Sequence, residues 1–208
     1  KIPIPTRGWG SHPLENGTTH GALWGAHYKP PEGARGTACT DGSAGKTRRP
    51  AASVVMADDR LRGNEYHASS HSWRLSDADA NSYLAEVAAV NRATRMIPVT
   101  LDVDIHTDSL STIQSVIKAQ HMGSCSASSA ARPYIKAILS AIEARKKHHA
   151  KTNLIHVRAH TGRRDIWSIG NEAADRGAKL ASSSEAQMEG IDLLAHELDY
   201  VVYMRPAK

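Results

Sequence analysis

Residues 98–113 read PVTLDVDIHTDSLSTI. Val99, Leu101, Val103 and Ile105 alternate with Thr100, Asp102, Asp104 and His106, the period-2 pattern of a strand with one buried face. At Asp108-Ser109 the pattern switches, and Leu110, Ile113 and Val116/Ile117 recur at helical spacing, with these side chains expected inward. A strand that passes through a short polar turn into a helix is half of a crossover unit, so the chain should contain parallel strands in an α/β domain.

The neighbouring segments extend this pattern. Upstream, TACTD (37–41) reads as a first strand, Gly42 to Pro50 as a turn region and AASVVMA (51–57) as a second strand, together a hairpin. EYHASSHSWRL (65–75) reads as a third strand. Residues 83–96 are helical in composition, with Leu84, Val87 and Val90 spaced for one face. Downstream, the small-residue run GSCSASSAA (123–131) separates the helix after Asp108 from another over 133–149, whose buried stripe is Ile135, Ile138, Leu139 and Ile142. NLIHVRA (153–159) is a fifth strand, and residues 169–182 a last helix. The order is βββαβααβα, with no internal repeat.

Residues 36–184 form the expected domain. Residues 1–35, rich in Gly, Pro and His, read as an extension that wraps it through Trp9, Trp24 and Tyr28. Residues 185–208 are a tail whose apolar segment, IDLLAHELDYVVY, suits helix or strand equally. The chain starts at Lys1 rather than Met, as a processed product or part of something longer would.

The 208 residues carry a formal charge of +5, which favours polyanionic partners weakly and decides nothing alone. No run approaches the roughly 18 apolar residues of a membrane helix, so a soluble domain without membrane partners is expected. Two cysteines, Cys39 and Cys125, make no disulfide framework and lack metal-site spacing, which suits a reducing compartment.

Four acidic residues stand out. Asp41 (TDGSAG) and Asp108 (HTDSLSTI) end strand-like runs, while Glu86 (SYLAEVAAV) and Asp175 (GNEAADRGAK) lie within helical ones. Carboxylates held together on rigid elements repel one another unless cations bind them, and oxygen-only ligands suit a hard ion such as magnesium. His67 and His71 are four apart on a strand, where they do not converge, so zinc is rejected there. Asp102 and Asp104 receive no role. Trp167 reads as a hydrophobic anchor in preference to a base-stacking platform. The basic run from Arg145 to Lys151 suits a helix C-terminus in any protein.

In their order and on these elements, TDGSAG, AEVAAV, HTDSLSTI and HVRAHTG…GNEAADRGAK resemble the type 1 ribonuclease H family over about residues 36–184. The resemblance implies a five-stranded mixed sheet with helices on both faces. It also implies magnesium-dependent hydrolysis of the RNA strand of RNA–DNA hybrids, with two Mg2+ ions, or Mn2+ in their place, on Asp41, Glu86, Asp108 and Asp175. His160, in VRAHTG, matches the family's mobile loop histidine, although it precedes Asp175 by 15 positions, a longer loop than in compact members. Instead of a Thr-Asn-Asn run before the helix glutamate the chain has Asn81-Ser82-Tyr83-Leu84-Ala85-Glu86. This and the GNEAAD ending look more like ribonuclease H domains attached to retroelement reverse transcriptases. Recognition of 2′-hydroxyls then falls to Gly42, Ser43, Asn81 and backbone groups. Lys46, Arg48 and Arg49 follow Asp41 closely in the first hairpin and read equally as phosphate contacts or as a solvated turn.

Two rival readings remain. One is a nucleic-acid-binding module of the same fold serving as a structural part of a larger ribonucleoprotein, and the other a different nuclease or a transposase of that fold.

Overall fold

The structure, a computed structural model, describes residues 35–45, 48–58, 68–75, 81–123, 127, 130–160, 166–183 and 188–189. Strands β1 (Arg35–Gly45), β2 (Arg48–Asp58) and β3 (Ala68–Leu75) precede helix α1 (Ser82–Met96). Then follow β4 (Asp102–Thr107), α2 (Leu110–Met122), α3 (Arg132–Lys147), β5 (Thr152–His156), α4 (Ile166–Ser183) and the two-residue β6 (Met188–Glu189). The sheet order is β5-β4-β1-β2-β3-β6. β1, β2 and β3 are antiparallel neighbours, whereas β4 and β5 run parallel to β1 and to each other. The five expected strands thus form a mixed sheet, and β6 adds a short parallel edge to β3.

Alternation along the strands sends successive side chains to opposite layers. Ala38 and Val54 enter the large core with Leu84, Val87 and Val90 of α1 and Ile135 and Ile138 of α3. Their neighbours Cys39 and Val55 meet Ala173 and Ala174 of α4 across the other face. α4 comes close because its Gly177 has no side chain: a Cβ there would lie 2.5 Å from both Ser53 Oγ and Ser72 Oγ.

α2 corrects one expectation. Ile113, Val116 and Ala119 are buried, but Leu110 and Ile117 are exposed at 49% and 47%. Its buried stripe is narrower than the apolar pattern, because α2 packs on α3, α1 and β5 along one line and leaves its flanks in solvent. Arg145 is fully buried and donates to the carbonyls of Thr94 (2.7 Å) and Ile97 (2.6 Å). It caps the C-terminal end of α1, whose last carbonyls have no partner within the helix. Burial pushes its guanidinium down to about 10. Among the described residues no helix is long and apolar enough to cross a membrane. The expected wrapping by Trp9, Trp24 and Tyr28, the tail segment 191–203, and Cys125 and His67 lie outside the described residues.

Candidate active site

Pairing of β1 with β4 ends at Thr40↔Thr107, while β1 continues beside β2 as far as Gly45. Asp41 is therefore the first β1 residue without a β4 neighbour. Asp108 is the first residue after β4, where the chain turns toward α2. The turn is built by short polar side chains: Ser109 N–H donates to Thr107 Oγ1 (3.2 Å), and Ser109 Oγ accepts from Thr112 N–H (3.4 Å) as the N-cap of α2. The departing strand opens a notch in the sheet, and both aspartates sit on its rim.

α1 closes the notch from one side. Asn81 caps it, its Oδ1 accepting from Leu84 N–H at 2.9 Å. The first turn of α1 lies directly on Gly42, where a Cβ would stand 2.3 Å from Glu86 N and 2.6 Å from Ala85 C. Gly42 N–H also donates to the Glu86 carboxylate. Asp41, Glu86 and Asp108 each bring a carboxylate oxygen within 4.8 Å of the others. α4 closes the opposite side. Its Asp175 interacts with Asp41 and pairs with Lys179 one turn on, at 2.7 Å. Three carboxylates share one point, and the fourth stands beside Asp41 with a lysine on it.

The cluster holds protons. Burial first, then the charge of Asp41 and of Asp108, pushes Glu86 up to about 10. Burial and the Asp108 charge raise Asp41 to about 7, while the hydrogen bond with Glu86 acts the other way. The opposite effects of that bond on its two partners fit one shared proton, with Glu86 donating to an ionised Asp41. Glu86 Oε2 is buried without a hydrogen-bond partner. A hard cation suits such a place, since it supplies positive charge to acceptor-only oxygens that the protein leaves unsatisfied.

The sequence pattern of the RNase H family matches residues 34–183. The chain belongs to the RNase H family. No curated protein sequence matches it. Solved structures agree on the fold of this RNase H domain. A prototype foamy virus protease–reverse transcriptase is 22% identical with a TM-score of 0.58, covering 77% of this chain, which spans 22% of that one. The RNase H domain of PFV in solution is 19% identical with a TM-score of 0.53, the match covering 72% of this chain and 94% of that domain. LC9-RNase H1, a type 1 RNase H with the type 2 active-site motif, is 20% identical with a TM-score of 0.53, over 76% of this chain and 77% of that one.

The remaining expected residues of this RNase H domain fall as follows. His160 is exposed in a turn beyond β5, with φ of 50°. Val157 N–H donates to Thr107 O at 2.9 Å, so this turn leaves from the same end of the sheet as Asp108. Asn81 is exposed, its oxygen committed to the cap. Ser43 is half-buried and shares the strand face of Asp41. Arg49 is exposed at the hairpin end of β2, and its carbonyl accepts from Ser182 Oγ at 2.6 Å. Lys46 and the side chain of Arg48 lie outside the described residues.

Asp102 and Asp104 do not face the notch. Both pair with Arg35, at 3.5 and 2.6 Å, and tie down Lys151 N–H and Asn153. Trp167 stacks on buried His106, with centroids 4.1 Å apart and planes at 7°, which anchors the first turn of α4. His71 contacts Arg92 and Trp73.

Two residues at the site escaped the sequence reading. His156 places Nε2 3.2 Å from Asp108 O. Asn171 donates from Nδ2 to Asp108 Oδ2 at 3.3 Å. Asn171 had a signal, lying four residues before Asp175 and therefore on its helix face. His156 had none, being the last residue of an ordinary strand.

Proposed function

We propose that this RNase H domain is a divalent-cation-dependent endonuclease that hydrolyses the RNA strand of RNA–DNA hybrids. Asp41, Glu86, Asp108 and Asp175 would hold two cations, Mg2+ or Mn2+. The observation that carries the reading is the meeting of three carboxylates around a buried oxygen without a partner. A scaffold gains nothing from such a cluster, because carboxylates held together repel one another as they lose their protons.

When bound, cations in an all-oxygen site activate water and neutralise charge on the phosphate and the departing oxygen. Asp41 and Glu86 must release their shared proton to bind them. Gly42 and the Asn81 amide line the α1 side and Ser43 lies beside Asp41 on the other face of β1, where an RNA strand would present its 2′-hydroxyls. β1 extends about 13 Å of strand past Asp41 to Gly45, and Lys46, Arg48 and Arg49 would serve the neighbouring phosphates. A retroelement origin, with an attached reverse transcriptase as partner, is supported by the SYLAE and GNEAAD runs. The deciding experiment presents labelled hybrid, single-stranded RNA, duplex RNA and duplex DNA with and without magnesium. Cation-dependent cleavage of the hybrid is expected, and tight hybrid binding without cleavage would favour the structural-module reading.

His160→Ala should lower turnover about tenfold to a hundredfold, less than loss of a carboxylate, because the histidine moves a proton or aids release while the cations carry the charge stabilisation. The loss should deepen at low magnesium. Single-turnover rates across a magnesium series check this, and a loss equal to that of Asp108→Asn would contradict an auxiliary role.

A pH dependence follows from the raised carboxyls. Free Asp and Glu titrate near about 4, whereas Asp41 and Glu86 hold protons up to about 7 and about 10 in the fold. Between these limits the folded state binds more protons than the unfolded one, so metal-free stability falls as pH rises. Cations displace the protons, so their affinity climbs over the same window. In EDTA, Tm should drop from about pH 5 to about pH 8, and magnesium should flatten or reverse the drop. Parallel Tm curves with and without magnesium would show that the two carboxyls are not where the cation binds.

A further inference from the structure

Asn171 lies on α4 one turn before Asp175, only 3% exposed. Its amide faces Asp108, which follows the last residue of β4 and so lacks strand pairing. An ionised carboxylate only accepts hydrogen bonds, so the NH2 group must be the part turned toward Asp108. That orientation leaves Asn171 Oδ1 on the far side, buried and without a hydrogen-bond partner. A buried unsatisfied carbonyl oxygen costs stability. An apolar side chain of the same volume would avoid that cost, so stability does not explain an asparagine here.

We propose that Asn171 is a positioning residue for the cation site, fixing the Asp108 carboxylate against α4 so that it meets Asp41 and Glu86. This rests on the cation-dependent reading above. One face of α4 then carries two adjustments of the site one turn apart: Asp175 beside Asp41, and Asn171 on Asp108. Partners that orient a ligating carboxylate control how tightly it holds a metal, and their loss usually weakens binding tenfold to a hundredfold.

The test uses the full chain and Mn2+ as probe, with affinity read by titration calorimetry and Tm read separately in EDTA. Asn171→Ala and the similarly γ-branched but larger Asn171→Leu should both bind Mn2+ about tenfold to a hundredfold more weakly, while Tm in EDTA stays unchanged or rises in at least one of them. That pairing of opposite effects is what a merely structural asparagine would not give. Unchanged Mn2+ affinity in Asn171→Leu, with the parent chain binding normally, overturns the positioning role alone. A loss of affinity that tracks a fall in Tm in both variants, or failure of both to fold, overturns it in favour of packing. If the parent chain binds no Mn2+, the cation-dependent reading falls and this proposal with it.

Discussion

Asp108→Asn should abolish hybrid cleavage, lowering kcat by at least about a thousandfold, while the metal-free protein remains as stable as the parent or more so. Both halves come from the same charge. Asp108 raises Asp41 and Glu86 by its proximity, so removing its charge relieves repulsion in the absence of cations. The substituted amide keeps one oxygen to accept from Asn171, and backbone contacts to Asp108 O from Leu110 N–H (3.1 Å) and His156 (3.2 Å) do not involve the side chain. The turn into α2 therefore survives. What is lost is a ligand that a transition state carrying extra negative charge needs. Tm in EDTA and single-turnover cleavage measured on one preparation check the prediction. Turnover at the parent rate would move the catalytic site away from this notch.

Much of this arrangement was legible before any coordinates, for reasons that particular residues make plain. The alternation of Val99 to His106 identifies a strand because Val103 and Ile105 enter the core with α1 and α3 while Asp102 and Asp104 on the other face stay partly exposed, His106 there being covered by Trp167. Its true start, Asp102, was not legible. Pairing begins at Arg35↔Asp102, so Val99 and Leu101 have no β1 partner and instead form a turn, with Leu101 N–H donating to Pro98 O at 3.1 Å. Periodicity reports which side is buried and is blind to which strand lies alongside. The same blindness misplaced Leu110 and Ile117, whose spacing was correct for a helix but whose burial depends on how far the neighbouring elements reach. The four acids were legible because each sits in a distinctive local run. The contact between Asn171 and Asp108 spans 63 positions, and no local pattern records it. The basic run from Arg145 to Lys151 does end a helix, as its charge suggested, yet Arg145 is the largest fully buried side chain described, turned inward to cap α1.

The geometry also separates what holds the site from what works in it. Asp41 and Asp108 owe their meeting to the early end of β4. Glu86 owes its place to a helix that can settle on the strand only where a residue has no side chain.

That last dependence makes Gly42 the most vulnerable position for the fold and the site together. Gly42→Ala should cost about 3 kcal/mol of stability, the upper end of ordinary overpacking, because the added carbon would overlap backbone atoms of α1. A clash with Glu86 N at 2.3 Å and Ala85 C at 2.6 Å cannot be relieved by a rotamer change. Either α1 lifts from the sheet, exposing Leu84 and Val87, or β1 bends and takes Asp41 with it. In both cases Glu86 also loses the N–H of Gly42 that lowers its pKa, so it holds its proton more firmly and yields it less readily to a cation. Cleavage should fall at limiting magnesium and recover only in part at saturation, since displacement of the ligand remains. Ser43→Ala, one residue along on the half-buried opposite face of the strand, should change Tm by little and serves as the stability control. Chemical denaturation of both variants with Mn2+ titration of each checks the argument. Parent-like stability and Mn2+ affinity in Gly42→Ala would mean that α1 does not need this contact to bring Glu86 to the notch.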